Sequence, residues 1–405
     1  MTAGWSAEDQ QVQSMADASP TKWHLAHTTW FFETLVLCAH VPGHRPHDAR
    51  YPTLFNSYYE SLGPRVARAQ RGLITRPTLQ EVLAYRAAVD RALLACIDGA
   101  RDEPWRQIAP LLQLGIAHEE QHQELILTDL LHALSCNPLQ PAALPASDRA
   151  PAAAAADPDD GWFEMPEGAW TIGHSWTIDS PPGHAFAFDN EGPRHTVHLP
   201  AYQLSRRLVS NADVQAFIDD GGYRTASLWL SDGWARVQAE GWQAPAYWLP
   251  GERGHAFSLQ GALPLDPQAP ATHLSFYEAC ALAEWAGARL PTEFEWEAAA
   301  RRFDSAAPAP TAADRWPSPR PRRTEAGDPQ FFGAVWQWTR SSYDPYPGYR
   351  PWQGAVGEYN GKFMVGQQVL RGSSCATPPG HSRPSYRNFF PPAARWQFSG
   401  LRLAR

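Results

Sequence analysis

The sequence predicts an α+β chain of two domains, a helical bundle followed by an irregular mixed α/β domain. Three observations carry this. Residues from about 19 to 136 hold long stretches patterned as helix. Residues 137–160 then turn almost entirely to Ala, Pro, Asp and other small residues, a composition that cannot bury a core. From Gly161 to Arg405 the chain is rich in Gly, Pro and Trp and carries only short strand-like and helical pieces.

The elements follow in order. Ser19-Pro20 is a helix start, and the pattern beyond it predicts a helix over Trp23–His40. A less regular region, Tyr51–Arg76, precedes two more helices, Leu79–Ile97 and Trp105–Leu134. The first domain is therefore residues 1–136, with 137–160 as linker and 161–405 as the second domain. In that second domain Trp170-Thr171-Ile172 and His195–Leu199 read as strands, and Asn211–Asp219, Ser275–Ala286 and Glu293–Arg302 as short helices. A second low-complexity stretch, Asp304–Asp328, is dense in Pro, Ala and Arg and reads as a mobile excursion.

Bulk properties exclude several function classes. At 405 residues two domains are the natural count. A net charge of -8 gives no overall pull towards nucleic acid or acidic membranes. No apolar run reaches transmembrane length, and the polar Met1–Asp17 segment is unlike a signal peptide. The five cysteines are scattered and form no CxxC pair, which points to a reducing cytoplasm rather than a disulfide framework or zinc knuckle. No GxGxxG, Walker or GxSxG motif is present, so redox chemistry here would draw on substrates or a metal, not on bound NAD or flavin.

The chemistry-bearing pattern is a histidine triplet. His118 and His122 stand four apart in His118-Glu119-Glu120-Gln121-His122-Gln123-Glu124, so on a helix they share one face and can bind one ion. A third imidazole comes from Trp23-His24-Leu25-Ala26-His27, where His24 and His27 compete for the role. Glu124 points well away from both helical histidines, at about 100° of turn per residue, and makes a poor third ligand. Three neutral ligands leave positions open for substrate and oxygen, which suits redox-active iron better than a closed zinc site.

Seven segments in order carry a resemblance to a known family: Ser19–Thr34, Leu54–Glu60, His118–Glu124, Asp189–His195, Trp285–Glu297, Val356–Met364 and Tyr386–Arg405. Together they resemble the ergothioneine-biosynthetic sulfoxide synthases, over almost the whole chain. The resemblance implies a DinB-like four-helix bundle followed by a domain of the C-type-lectin and formylglycine-generating-enzyme type. It implies Fe(II) held by His27, His118 and His122, with His24 a supporting residue. It implies an oxidoreductase that uses O2 to join hercynine (N-alpha-trimethylhistidine) to a cysteine-type donor, either gamma-glutamylcysteine or cysteine.

Further residues carry over from the resemblance. Tyr58 and Tyr59 match a tyrosine pair near the iron, where a phenol can give a proton to a reduced oxygen species. Gln121 is placed to reach the substrate space. Asn388, Phe389 and Phe390 match residues that receive the betaine. A quaternary ammonium has no N–H to donate, so aromatic faces and amide oxygens are its natural partners. Arg65 and Arg68 lie near the place where the family binds donor carboxylates, which guanidinium forks suit.

The chain departs from the family in one motif. A GDVWEW-like segment here reads Gly333-Ala334-Val335-Trp336-Gln337-Trp338, with both acids lost, so any structural ion there is in doubt. The change also keeps a selenoneine synthase in view, which would join hercynine to a selenosugar. More distant readings are a DinB-type thiol transferase using zinc or nickel, which leaves the aromatic second domain unexplained, and a non-catalytic binding module. A copper-dependent cysteine oxidase is disfavoured because Cys375 has no nearby partner in sequence.

Overall fold

A computed structural model describes residues 1–145, 161–175, 186–251, 254–303 and 329–405. The proposed excursion over 304–328 and most of the expected linker lie outside the described residues.

The chain divides into two compact units. The first gathers Met1–Cys136 with Ser175–Asp189 and Tyr349–Lys362, and the second gathers Asn137–His174, Asn190–Gly348 and Phe363–Arg405. Two stretches from the later part of the sequence therefore belong with the helices.

In the first unit α1 (Thr21–Phe32) runs on through a π-helical turn, Glu33–Leu37, into α2 (Cys38–His40). A one-turn helix, α3 (Tyr51–Phe55), and two long ones, α4 (Leu79–Gly99) and α5 (Asp102–Ser135), complete the bundle. The three long elements match the sequence expectation to within a few residues. Thr78 and Glu81 form a capping box at the start of α4, each satisfying a backbone N–H. Helix α1 packs on α3, α4 and α5, and buries Trp23, Ala26, Trp30 and Phe31. The π turn has a local cause for its polarity: buried Glu33 accepts from Tyr85 Oη of α4 at 2.6 Å and from the His47 amide at 2.8 Å.

Helix α1 and helix α5 approach closely at Gly115. A Cβ there would stand 2.3 Å from Cε1 of Phe32, so only glycine fits without displacing the ring.

The second unit is built of small sheets and short helices. Strands β1 (Trp162–Met165) and β4 (Tyr202–Ser205) pair antiparallel, as do β2 (Gly168–Ile172) with β3 (His195–Leu199) and β5 (His255–Ser258) with β6 (Gly261–Pro264). The largest sheet has the order β10-β7-β8-β9, from β7 (Trp336–Ser342), β8 (Gln368–Gly372), β9 (Asn388–Phe390) and β10 (Ser399–Gly400). Among the described residues four α-helices accompany them: α6 (Asn211–Asp219), α7 (Ser231–Glu240), α8 (Phe276–Trp285) and α9 (Glu293–Phe303). Ser210 with Asp213 and Ser275 with Glu278 cap α6 and α8 as boxes.

The core of this unit is aromatic and ionic at once. Phe163, Ile172, Leu199, Tyr202, Trp296 and Phe331 pack together. Beside them Glu293 holds Arg387 at 2.8 Å, and Glu297 pairs with Arg371. Buried charges on this pattern persist only when paired and hydrogen-bonded. Gln337, from the altered segment, is 1% exposed. Its oxygen accepts from Trp296 Nε1 at 2.8 Å and Arg402 Nε at 3.2 Å, and its amide donates to the Phe331 carbonyl at 2.8 Å. The lost acid is thus replaced by a core amide bonded through both its oxygen and its nitrogen.

Candidate metal centre

Helices α1 and α5 bring His27, His118 and His122 together. One nitrogen from each lies within 4.8 Å of the other two. The ring centroids are 4.5 to 4.9 Å apart, and no pair of rings is parallel. This is an arrangement of converging lone pairs rather than of stacked rings. Among the described residues it is the one group of three metal-binding side chains found.

Each ring is oriented by what surrounds it. His27 is stacked between Trp23, with centroids 4.6 Å apart, and Trp30, at 5.5 Å, on its own helix. The guanidinium of Arg71 lies 3.4 Å from the Trp23 ring and extends the stack. Nδ1 of His27 meets the Phe55 carbonyl at 2.6 Å, so it is the donor and Nε2 keeps the lone pair. Nδ1 of His122 meets Nδ1 of His24 at 2.7 Å, and Nε2 of His24 lies 3.1 Å from Asp129 Oδ2. Nδ1 of His118 has no hydrogen-bond partner among the described residues.

Burial holds all three imidazoles in the neutral, ligand-competent form. His27 and His122 are pushed well below the ordinary histidine value, first by desolvation and next by neighbouring His118. Desolvation, aided by His24, brings His118 down to about 3. Three neutral imidazoles with outer hydrogen bonds on two of them fit a divalent transition metal. The ion pair of Arg86 with Glu119 at 2.8 Å, joined by Thr28, ties α4, α5 and α1 together near His118.

The remaining residues singled out in the sequence fall in both units. In the first, Tyr59 is 5% exposed, with its ring 5.7 Å from Trp30 and 6.2 Å from Phe31. Tyr58 instead faces Tyr359 at 5.8 Å, and its carbonyl accepts from Lys362 Nζ at 2.9 Å. Gln121 is half-buried on α5. Arg65 is paired with Glu60 at 2.8 Å and lies 5.7 Å over the Tyr58 ring. Arg68 has no carboxylate partner among the described residues, and its Nε is buried without a hydrogen bond. In the second unit, Phe389 stacks on Tyr343 at 4.1 Å and neighbours Phe363 at 5.5 Å. Phe390 meets Trp396 edge-on at 5.9 Å, and Asn388 Oδ1 accepts the Phe389 amide at 2.9 Å.

Sequence reasoning missed Asp129, Arg71 and Tyr359. A signal existed for Asp129: it stands seven residues after His122, two turns along the same helix face, as a lone carboxylate in the apolar run Leu125–Leu131. Arg71 and Tyr359 carried none.

A DinB superfamily model matches residues 2–126, and a sulfatase-modifying factor enzyme 1-like domain matches 151–320 and 317–405. The hercynine oxygenase of Mycolicibacterium smegmatis is 33% identical over 414 residues, covering 95% of this chain and 91% of that protein. The hercynine oxygenase of Mycolicibacterium thermoresistibile is 34% identical over 428 residues, with 98% and 90% covered. A formylglycine-generating enzyme from Thermomonospora curvata is 38% identical over 136 residues, covering 29% of this chain and 43% of that enzyme. No helix among the described residues is long and apolar enough to cross a membrane. Near-full-length identity of about one third, together with both domain matches in order, shows that the chain belongs to the hercynine oxygenase family of oxidoreductases.

Proposed function

We propose that this protein is an Fe(II)- and O2-dependent sulfoxide synthase that joins hercynine to a cysteine-type thiol in ergothioneine biosynthesis. The observation that carries the reading is the convergence of His27, His118 and His122 in a chain similar from end to end to hercynine oxygenases. The balance needs no organic cofactor. A C–H bond of hercynine and the S–H bond of the donor break, C–S and S–O bonds form, and the second oxygen atom leaves as water.

His27, His118 and His122 would hold the iron, which when bound supplies one-electron redox chemistry with dioxygen. The other residues bind and move protons. Tyr59 packs on Trp30, the ring stacked against His27. It or Tyr58 is the proton donor of this reading. Gln121 contributes an amide to the substrate. The trimethylammonium of hercynine goes to Asn388, Phe389 and Phe390, whose aromatic strand has the right chemistry for a cation without N–H groups. Arg68, with no carboxylate partner among the described residues, is the better candidate for the donor's carboxylate, and Arg65 would have to exchange Glu60 for it.

The altered segment that kept a selenosugar in view places Gln337 in a core hydrogen-bond network, where it serves packing. The test is oxygen uptake and product mass for the iron-loaded protein with hercynine plus gamma-glutamylcysteine, cysteine or selenoglucose. A sulfoxide from a thiol donor is expected, and coupling of the selenosugar alone would sink the reading. Replacing His118 with Ala should abolish stoichiometric iron binding while the helical signal persists. The double variant Tyr58→Phe with Tyr59→Phe should keep iron and lose most sulfoxide yield, and an unchanged yield would clear both tyrosines of the role.

A further inference from the structure

We propose that Asp129, acting through His24, is a positioning residue for His122 that fixes its tautomer and tightens the hold of the triad on a divalent metal. The inference rests on the triad being a metal site and goes beyond it to an outer chain of two residues.

The chain is short and buried. Asp129 is 4% exposed and His24 3% exposed. Oδ2 of Asp129 lies 3.1 Å from His24 Nε2, and His24 Nδ1 lies 2.7 Å from His122 Nδ1. The Ser19 amide donates to the same Oδ2 at 2.8 Å, which fixes the carboxylate at the start of α1.

Counting protons leaves one arrangement. An ionised carboxylate only accepts, so His24 must carry its proton on Nε2. In the neutral ring Nδ1 of His24 then has a lone pair and can only accept. His122 must therefore donate from Nδ1, and its Nε2 is left as a lone pair for the metal. In the reverse arrangement Nε2 of His122 is protonated and cannot ligate. That arrangement also sets a lone pair of His24 against the carboxylate. Asp129 thus selects the ligating form of a residue it does not touch.

Two further observations favour this over a purely structural role. Asp129 makes no ion pair with any lysine or arginine among the described residues; the ring it meets is the buried His24. A buried carboxylate so placed is costly to folding, and a role at the site accounts for its presence. The three imidazoles also differ in what stands behind them. His122 has a carboxylate-backed histidine, His27 a neutral carbonyl, and His118 no partner on Nδ1. An acceptor polarised by a carboxylate raises ligand basicity most.

The test uses Co(II) alone as probe, titrated into the full-length metal-free protein and followed by its visible absorption. Asp129→Asn and His24→Leu should each weaken Co(II) binding by about ten- to a hundredfold. His24→Asn, whose amide oxygen can accept from His122 Nδ1, should recover most of the affinity. In proton NMR of the Co(II) protein, His27 and His122 should each give a slowly exchanging, hyperfine-shifted N–H signal. The His122 signal should vanish in His24→Leu while that of His27 stays. A structural role would lower the melting temperature of the metal-free variants without moving the NMR signal or separating Leu from Asn at position 24. Equal Co(II) affinity across the wild type, Asp129→Asn and His24→Leu would overturn the proposal. If Asp129→Asn fails to fold, the Leu and Asn pair at position 24 decides. Failure of the wild type to bind Co(II) at all would remove the metal reading itself, and this inference with it.

Discussion

A buried histidine without a carboxylate beside it stays neutral, and the chain uses that property in both units. In the triad it supplies three lone pairs that need not shed protons before a metal binds. In the second unit His273 is buried, donates from Nδ1 to the Gln397 carbonyl at 3.0 Å, and is brought down to about 3 by desolvation. Its titration has a definite sign. The unfolded chain takes up a proton on this ring near pH 6.5, whereas the folded chain resists until about 3, so the unfolded state binds more protons in between. Stability from this group is complete above pH 6.5 and is lost as pH falls towards 3, at up to about 1.4 kcal/mol per pH unit. His273 also sits at φ +63°, a left-handed conformation that Asn tolerates. The variant His273→Asn keeps a donor for Gln397 and removes the titration. Urea unfolding of metal-free protein at pH 7, 6 and 5 should show a flatter loss of stability in the variant than in the wild type. Parallel curves would mean that His273 does not titrate as its burial implies.

Helices α1 and α5 carry the site between them, and their spacing is set where Gly115 lies against Phe32. Gly115 precedes His118 by less than one turn, and Phe32 follows His27 by less than two. Replacing Gly115 with Val must push the half-buried Phe32 ring aside or part the helices, at a cost of about 1–3 kcal/mol. The expected outcome is a lower melting temperature together with weaker Co(II) binding, because the strain falls between the ligand-bearing turns. Loss of stability with unaltered metal affinity would show that the ring yields alone. These helices were legible in the sequence because their patterns are long and unbroken, and the spacing of His118 and His122 needs only one helix to be read. The choice of His27 over His24 came from the family resemblance. In the structure, His27 converges on the pair and His24 bonds to Asp129, 105 positions away. A hydrogen bond across that separation leaves no local pattern. Strands β1 and β4 to β10 and helix α7 also went unread, since most of the strands are two to five residues long among Gly and Pro and give too few periods to identify.

The whole molecule is less segregated than its composition suggests. A break after residue 136 is plain in the sequence, yet the unit holding the helices also includes Ser175–Asp189 and Tyr349–Lys362. Membership of this kind is decided by tertiary contacts, and composition does not register it. Within that unit Asp189 accepts from Asn360 Nδ2 at 2.6 Å and from Tyr349 Oη and the Trp352 amide at 3.3 Å. Lys362 Nζ then reaches the Tyr58 carbonyl, and Tyr359 meets the Tyr58 ring. The loop that bears Tyr58, Tyr59, Arg65 and Arg68 is thereby fastened by residues that arrive some 300 positions later. A fragment of residues 1–136 retains α1, α4 and α5 with all three histidines but lacks those fastenings. It should keep a helical circular dichroism signal while this loop, left to Asn56, Gln13 and the packing of Tyr59, opens locally more often. Trypsin should then cut the fragment after Arg65 and Arg68 several-fold faster than it cuts the full chain under the same conditions. Equal cutting rates would mean that Tyr349–Lys362 contributes nothing to holding the loop. In that case the tyrosine pair would owe its position to the bundle alone.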